Sequence, residues 1–304
     1  MKRSMKSLAA LLPLIAASPA FAQGVTLPIA QPKPDAGATQ VIAPVAAAAN
    51  INLTPRRVIF DRTKRTEAVY VFNQGNTPVT VDVALVDNAM LPSGEIVPMT
   101  RLSERGPDAE AVGARVRSAK PYLLAAPSRL TLPPGQGRTI RVRATLADGT
   151  AGGEYRSHLT VTTVPSADTG LTAEQAASSE KGELVLRIQS VFGISIPLIV
   201  RGGAADASAS IGPISQVTTP EGPALSVPLR RQGTTSLYGN VELRTAKEIV
   251  GVIRGIAVYP EVDERVAQVP LMRPLRKGET VTAIFTADDI RKAQPIASGT
   301  FTAP

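Results

Sequence analysis

From Ile51 onward, apolar and polar residues alternate in short runs separated by turn residues, and no sustained helical period appears. Period two is the signature of β-strands with one buried face. The pattern predicts strands over 51–60, 68–72, 80–85, 122–125, 139–144 and 155–163, then the longest alternating run of the chain, 183–201 (ELVLRIQSVFGISIPLIVR). Every even position of that run except Ser190 is apolar: Leu184, Leu186, Ile188, Phe192, Ile194, Ile196, Leu198 and Val200. At about 3.3 Å per residue it would span roughly 60 Å, far beyond the five or six residues of a typical strand. Gly193 offers a place to bulge or bend, dividing it into 184–192 and 194–200. One compact core cannot cover so long an apolar face, so the first half reads as a strand made to be covered by another molecule. The alternative is an ordinary core strand that bends midway.

Seven strands at this spacing suggest an immunoglobulin-like sandwich. The rhythm resumes after Gly202-Gly203, with strands expected over 207–217, 224–228, 239–244, 249–259, 267–271, 280–285 and 298–302. The fold class read from the sequence is all-β, with two immunoglobulin-like β-sandwich domains, 51–202 and 203–304, and a cleft between them. Two connections are long, 87–118 and 165–182, and loops of that length are commonly functional or disordered.

The start of the chain is of another kind. Lys2, Arg3 and Lys6 precede an apolar stretch and the small-residue pattern Ala20-Phe21-Ala22, which reads as a secretory signal peptide over 1–22. Its apolar part is too short to anchor in a membrane, and no other run approaches a membrane span. Residues 23–50, rich in Pro and Ala without a period, read as a disordered leader or linker. The expected location is the bacterial periplasm. The chain has no cysteine, so the fold must hold without disulfides.

Charge and chemistry exclude several function classes. The chain carries +8; without the three N-terminal bases, 30 basic residues face 25 acidic ones. They are spread along the chain without clustered aromatics, so nucleic acid is not the expected partner. His158 is the only histidine, which removes zinc sites and His-based triads and leaves a strand residue that packs or makes one satisfied hydrogen bond. Gly135-Gln136-Gly137 is a turn without the strand-to-helix setting of a nucleotide loop. The carboxylate pairs Asp61/Glu67 and Asp263/Glu264 read as solvated turn charges. The chain is expected to be no enzyme and to need no cofactor or metal.

Three segments resemble the periplasmic pilus (fimbrial) chaperone family. The first, Asn52-Leu53-Thr54-Pro55-Arg56-Arg57-Val58-Ile59-Phe60, is similar to its opening strand. The second, 127–143 (PSRLTLPPGQGRTIRVR), is similar to its Pro-rich segment and following strand. The third, 154–159 (EYRSHL), leads through a variable loop into the long alternating strand. The resemblance covers roughly 52–201 well and the second domain more loosely.

The resemblance implies a chaperone that lends a strand to an unfinished pilus subunit and delivers it to an outer-membrane usher, a form of β-strand addition that general surveys of peptide recognition already include. Leu184, Leu186, Ile188 and Phe192 would then fill successive subunit pockets, at roughly 1.5–3 kcal/mol per buried large side chain. It also implies that Arg57 binds the subunit's C-terminal carboxylate in the cleft. The family's companion Lys falls on Pro197, which cannot donate. Arg201 or Arg56 would take its place, or Arg57 would act alone. A dimer that caps its own free strand stays open, as does a second reading, an exported immunoglobulin-like structural or adhesive protein.

Overall fold

The computed structural model describes residues 50–146, 152–165, 191–288 and 294–304. The expected signal peptide, the leader, the loop before the long strand and the positions Leu184, Leu186 and Ile188 lie outside the described residues.

The first sandwich has two sheets. One is built from β1 (Ile51–Thr54), β3 (Thr66–Asn73), β9 (Gly137–Ala144) and β7 (Leu123–Ala126), in the order β1-β3-β9-β7. The other follows β2-β11-β10-β4-β8, from β2 (Val58–Phe60), β11 (Gly193–Arg201), β10 (Glu154–Thr163), β4 (Val79–Val86) and β8 (Arg129–Leu132). The opening strand changes sheets. Before Pro55 it pairs antiparallel with β3, and after Arg57 it pairs parallel with β11, Val58 opposite Leu198. The inward residues make one apolar core, among them Leu53, Phe60, Val71, Val83, Ile140, Leu159, Ile196, Leu198 and Val200.

The second sandwich pairs β14 (Gly222–Gln232) with β12 (Ser208–Ile211), β13 (Ser215–Thr219) and β17 (Glu264–Pro270). Its other sheet is β16-β15-β18-β19, from β16 (Ile249–Val258), β15 (Leu237–Arg244), β18 (Thr280–Ala287) and β19 (Gln294–Thr302). The run 207–217 forms two strands where one was expected, because Gly212-Pro213 lies between them and Pro lacks an N–H for the ladder. The all-β, two-sandwich class is the one read from the alternation.

The connection 87–118 differs from its reading as a long irregular loop. It contains a hairpin of β5 (Asn88–Met90) and β6 (Ile96–Pro98), a 3-10 turn over Met99–Arg105 and the helix α1 (Pro107–Ala114). The helix left no period in the sequence because it is short and rich in Ala and Gly, burying only Ala109 and Gly113. Ala89, Val97, Leu102 and Ala109 form a small core of their own.

This insertion bridges the two sandwiches. Met90 joins the second sandwich's core, the Pro92 carbonyl accepts from Val266 N at 3.0 Å, and Arg115 grips Asp263 with two bonds of 2.7 and 3.0 Å. From β11 itself, Ile199 turns away from its neighbours' core and belongs to the buried apolar cluster of the second sandwich. A first-sandwich strand therefore carries part of the second core. Truncating it, Ile199→Ala, is expected to cost about 2–5 kcal/mol by leaving a cavity. A urea midpoint unmoved from that of the parent protein would contradict the packing.

Candidate functional site

The edge of β11 opens the site. On one side β11 is paired along its whole length with β10, from Gly193 opposite Thr162 to Arg201 opposite Glu154. On the other side β2 covers only Leu198, Ile199 and Val200. Among the described residues, Gly193 to Pro197 has no strand on that side, which leaves backbone donors and acceptors available to another chain. Val191 and Phe192 continue this segment and are exposed, Phe192 at 41%.

The alternation splits its work between two faces. Ile194, Ile196, Leu198 and Val200 point into the first core, Ile194 only partly buried. Gly193, Ser195 and Pro197 face outward and line a cleft of about 510 Å³. His158 of β10, opposite Pro197, shares this floor. The hairpin supplies one wall through Met90 and Ile96, and the second sandwich supplies the opposite one through Ala257, Tyr259 and Arg265. The cleft therefore lies between the sandwiches with the free strand as its floor.

Arg57 stands one residue before β2, where the free edge ends. Its Nη2 donates to Ser236 Oγ at 2.9 Å and its Nη1 reaches Tyr259 Oη at 3.4 Å. The guanidinium also lies 4.6 Å from the ring centre of Tyr238, a favourable cation–π placement. Arg57 is thus held half-buried where the sandwiches meet.

Arg201 is in a different situation. It is 6% exposed, and its Nε donates to Glu154 Oε2 at 3.1 Å. The same Glu154 oxygen accepts from Ser236 N at 3.1 Å and Ser236 Oγ at 2.9 Å. A guanidinium enclosed in this way is poorly placed to meet an incoming carboxylate; it neutralises a carboxylate that joins the two sandwiches. Arg56 is exposed and does not take part in this seam.

Two groups not singled out by the sequence complete the site. Arg156 donates to Glu261 and to the Asn88 carbonyl (3.0 Å), and lies over the Tyr259 ring at 3.8 Å. Glu261 in turn accepts from Met90 N at 3.0 Å, fixing the hairpin wall. These carboxylates and arginines lie far apart in the sequence, so only the alternating polar positions on β10 hinted at them.

His158 is buried at 4% exposure, with Nε2 3.2 Å from Arg156 Nη1 and Nδ1 without a hydrogen-bond partner. Burial and the Arg156 charge push its pKa down to about 3, opposed weakly by Asp87. It stays neutral in the native protein, whereas in the unfolded chain it titrates near 6.5. Its contribution to stability is therefore complete above about pH 6.5 and is lost as pH falls from there toward 3. Urea midpoints at successive pH values should show the parent losing stability against His158→Gln by about 1.4 kcal/mol per pH unit in that window. Parallel acid limbs for the two proteins would contradict a buried neutral imidazole.

Among the described residues, no cluster of His, Cys, Asp or Glu could hold a metal ion, and no helix is long and apolar enough to cross a membrane. No protein-family model matches the sequence, and no curated protein matches it. Solved structures do resemble the fold. The E. coli chaperone DraB is 14% identical, with 84% of this chain and 96% of that chain covered and a TM-score of 0.43. The SafB chaperone of Salmonella enterica, solved in complex with the SafA pilin, gives 14% identity, 85% and 98% coverage and a TM-score of 0.43. The CsuC–CsuE chaperone–tip adhesion subunit complex of Acinetobacter baumannii gives 11% identity, 84% and 98% coverage and 0.42.

Proposed function

We propose that this protein is a periplasmic chaperone that captures pilus subunits by adding its own strand to them and hands them to an outer-membrane usher. The observation that carries the reading is the edge of β11 from Gly193 to Pro197, without a strand among the described residues, in a cleft also lined by Tyr259, whose hydroxyl Arg57 reaches. A subunit sheet docked on that edge gains main-chain hydrogen bonds, and alternate side chains of the lending strand enter its pockets. The apolar face of β11, Ile194, Ile196, Leu198 and Val200, is committed to the protein's own core, so the pocket-filling side chains are those upstream. On the sequence pattern these are Leu184, Leu186, Ile188 and Phe192, of which the described Phe192 is exposed. Arg57 holds the subunit's terminal carboxylate, which a guanidinium can grip through two parallel bonds. Arg201 serves from behind by balancing Glu154.

Periplasmic co-expression with candidate pilins, followed by pull-down, tests this. Leu186→Asp and Ile188→Asp are expected to stay folded and lose the subunit. Arg57→Gln is the better anchor variant than a charge reversal, because a new carboxylate would face Glu154 across Ser236. It is expected to weaken capture at least about tenfold, the effect of some 1.4 kcal/mol, with the thermal midpoint within a few degrees of the parent. If all three variants still retain pilin at parental levels, the strand is not the capture element. A structural or adhesive role would then be favoured, in which polar substitutions on this strand change stability alone.

A further inference from the structure

The inserted hairpin has a large side chain that its own packing does not use. In β6, Val97 turns inward and joins the small core with Leu102 and Ala109, so Ile96 and Pro98 on either side of it turn outward. Ile96 is left 40% exposed. A lone exposed aliphatic is ordinary on a protein surface. This one faces the cleft: Ile96 and Pro98 line it on one side, Ala257 lines it on the other, and Gly193, Ser195 and Pro197 form its floor. The wall is also fixed in place. Its turn is closed by Leu91 N on the Glu95 carbonyl at 2.9 Å and by Gly94 N on the Leu91 carbonyl at 2.7 Å. Met90 and the Pro92 carbonyl tie it to the second sandwich. Ile96 therefore stands at a set distance from the floor.

The sheet dictates what enters this space. A strand added to the free edge of β11 extends that sheet, and its alternate side chains project on the face of Gly193, Ser195 and Pro197, into the cleft. The floor is low: glycine has no side chain, and Ser195 Oγ is turned to Thr160 Oγ1 at 2.6 Å. The cleft volume, about 510 Å³, is that of a pocket holding a small ligand, about 300–1,000 Å³. Polar groups of the lining are engaged within the protein. His158 Nε2 lies 3.2 Å from Arg156 Nη1, and Tyr259 Oη accepts from Arg57 at 3.4 Å. Arg265 gives Nη1 to the Ala257 carbonyl at 2.7 Å, and its guanidinium lies against the turn at Gly94. An amide or hydroxyl pressed on Ile96, Pro98 and Ala257 would lose water and gain no partner. A large aliphatic or aromatic side chain is stabilised there in proportion to the apolar area it buries.

We propose that Ile96, with Pro98 beside it, is a specificity-determining residue that receives a large apolar side chain of the strand docked on β11. Side chains then pass in both directions, the lending strand filling pockets of the subunit and the subunit filling this cleft. The assignment rests on the capture reading above.

The test uses the full chain and a pilin that the parent protein retains in the pull-down. With Ile96 replaced by the photo-cross-linker p-benzoylphenylalanine, irradiation should link the two proteins, and mass spectrometry should place the link at an apolar pilin residue. Ile96→Trp, which fills the space, should retain that pilin about tenfold more weakly, the effect of some 1.4 kcal/mol. Shortening the linked pilin residue to alanine should restore retention by Ile96→Trp to near the parental level. Ile96→Ser should also weaken retention about tenfold. Both variants should unfold within a few degrees of the parent, because Ile96 lies outside the hairpin's own core. A link at a charged or amide side chain overturns the proposal, as does a pilin alanine change that restores nothing. Loss of pilin in Leu186→Asp beside parental retention in Ile96→Trp and Ile96→Ser strikes the wall alone. Parental retention in Leu186→Asp, or a parent that retains no pilin, strikes the capture reading and this assignment with it.

Discussion

The arrangement of the two sandwiches depends on Glu154. Its carboxylate is buried at the first residue of β10 and accepts from the guanidinium of Arg201 and from the backbone and hydroxyl of Ser236. Desolvating two charges costs several kcal/mol per ion, and the attraction offsets it only when the geometry is good and the remaining lone pairs are used. Three donors meet on Oε2, two of them from the opposite sandwich, and make the junction directional, while Oε1 is buried without a hydrogen-bond partner. Ser236 extends the seam, because its hydroxyl both donates to Glu154 and accepts from Arg57. An apolar seam could slide; this one has one register, and it sets the side of the cleft where Arg57 stands.

The second constraint is the brevity of β2. An edge strand with open hydrogen-bonding groups invites unwanted pairing, and proteins ordinarily cover or interrupt such edges. Here the opening strand crosses from one sheet to the other and covers three residues of β11, and among the described residues no strand covers the five before them. That part faces a cleft, not open solvent on all sides, so access is limited to a chain that can enter between the sandwiches and the hairpin wall.

That wall is made by the insertion between β4 and β7. Its charged and Pro-rich composition gives no sign of a docked element, yet Met90 enters the second core and Glu261 fixes its backbone N–H. Arg156, Glu261 and Asn88 form a second polar seam, in which Arg156 lies over the Tyr259 ring. The cleft is thus walled by two sandwiches and the insertion, its width fixed by hydrogen bonds from each.

By itself the sequence determined the all-β class, the two-sandwich plan and the buried face of β11, since period two reports which side of a strand meets a core whatever that core is. It also singled out Arg57, through its place in a resembling motif. Of Arg201 it showed only a basic residue at a strand end, because the partner of its guanidinium is a carboxylate 47 positions earlier brought opposite by strand register. It missed Ile199, an odd position in an even-numbered pattern, because its core belongs to the other sandwich. Arg265 was equally invisible: a cation among ordinary strand residues until a distant glycine turn and a buried tyrosine desolvate it. Local periodicity is written along the chain; pairing of charges and closure of a cleft are properties of residues that only folding brings together.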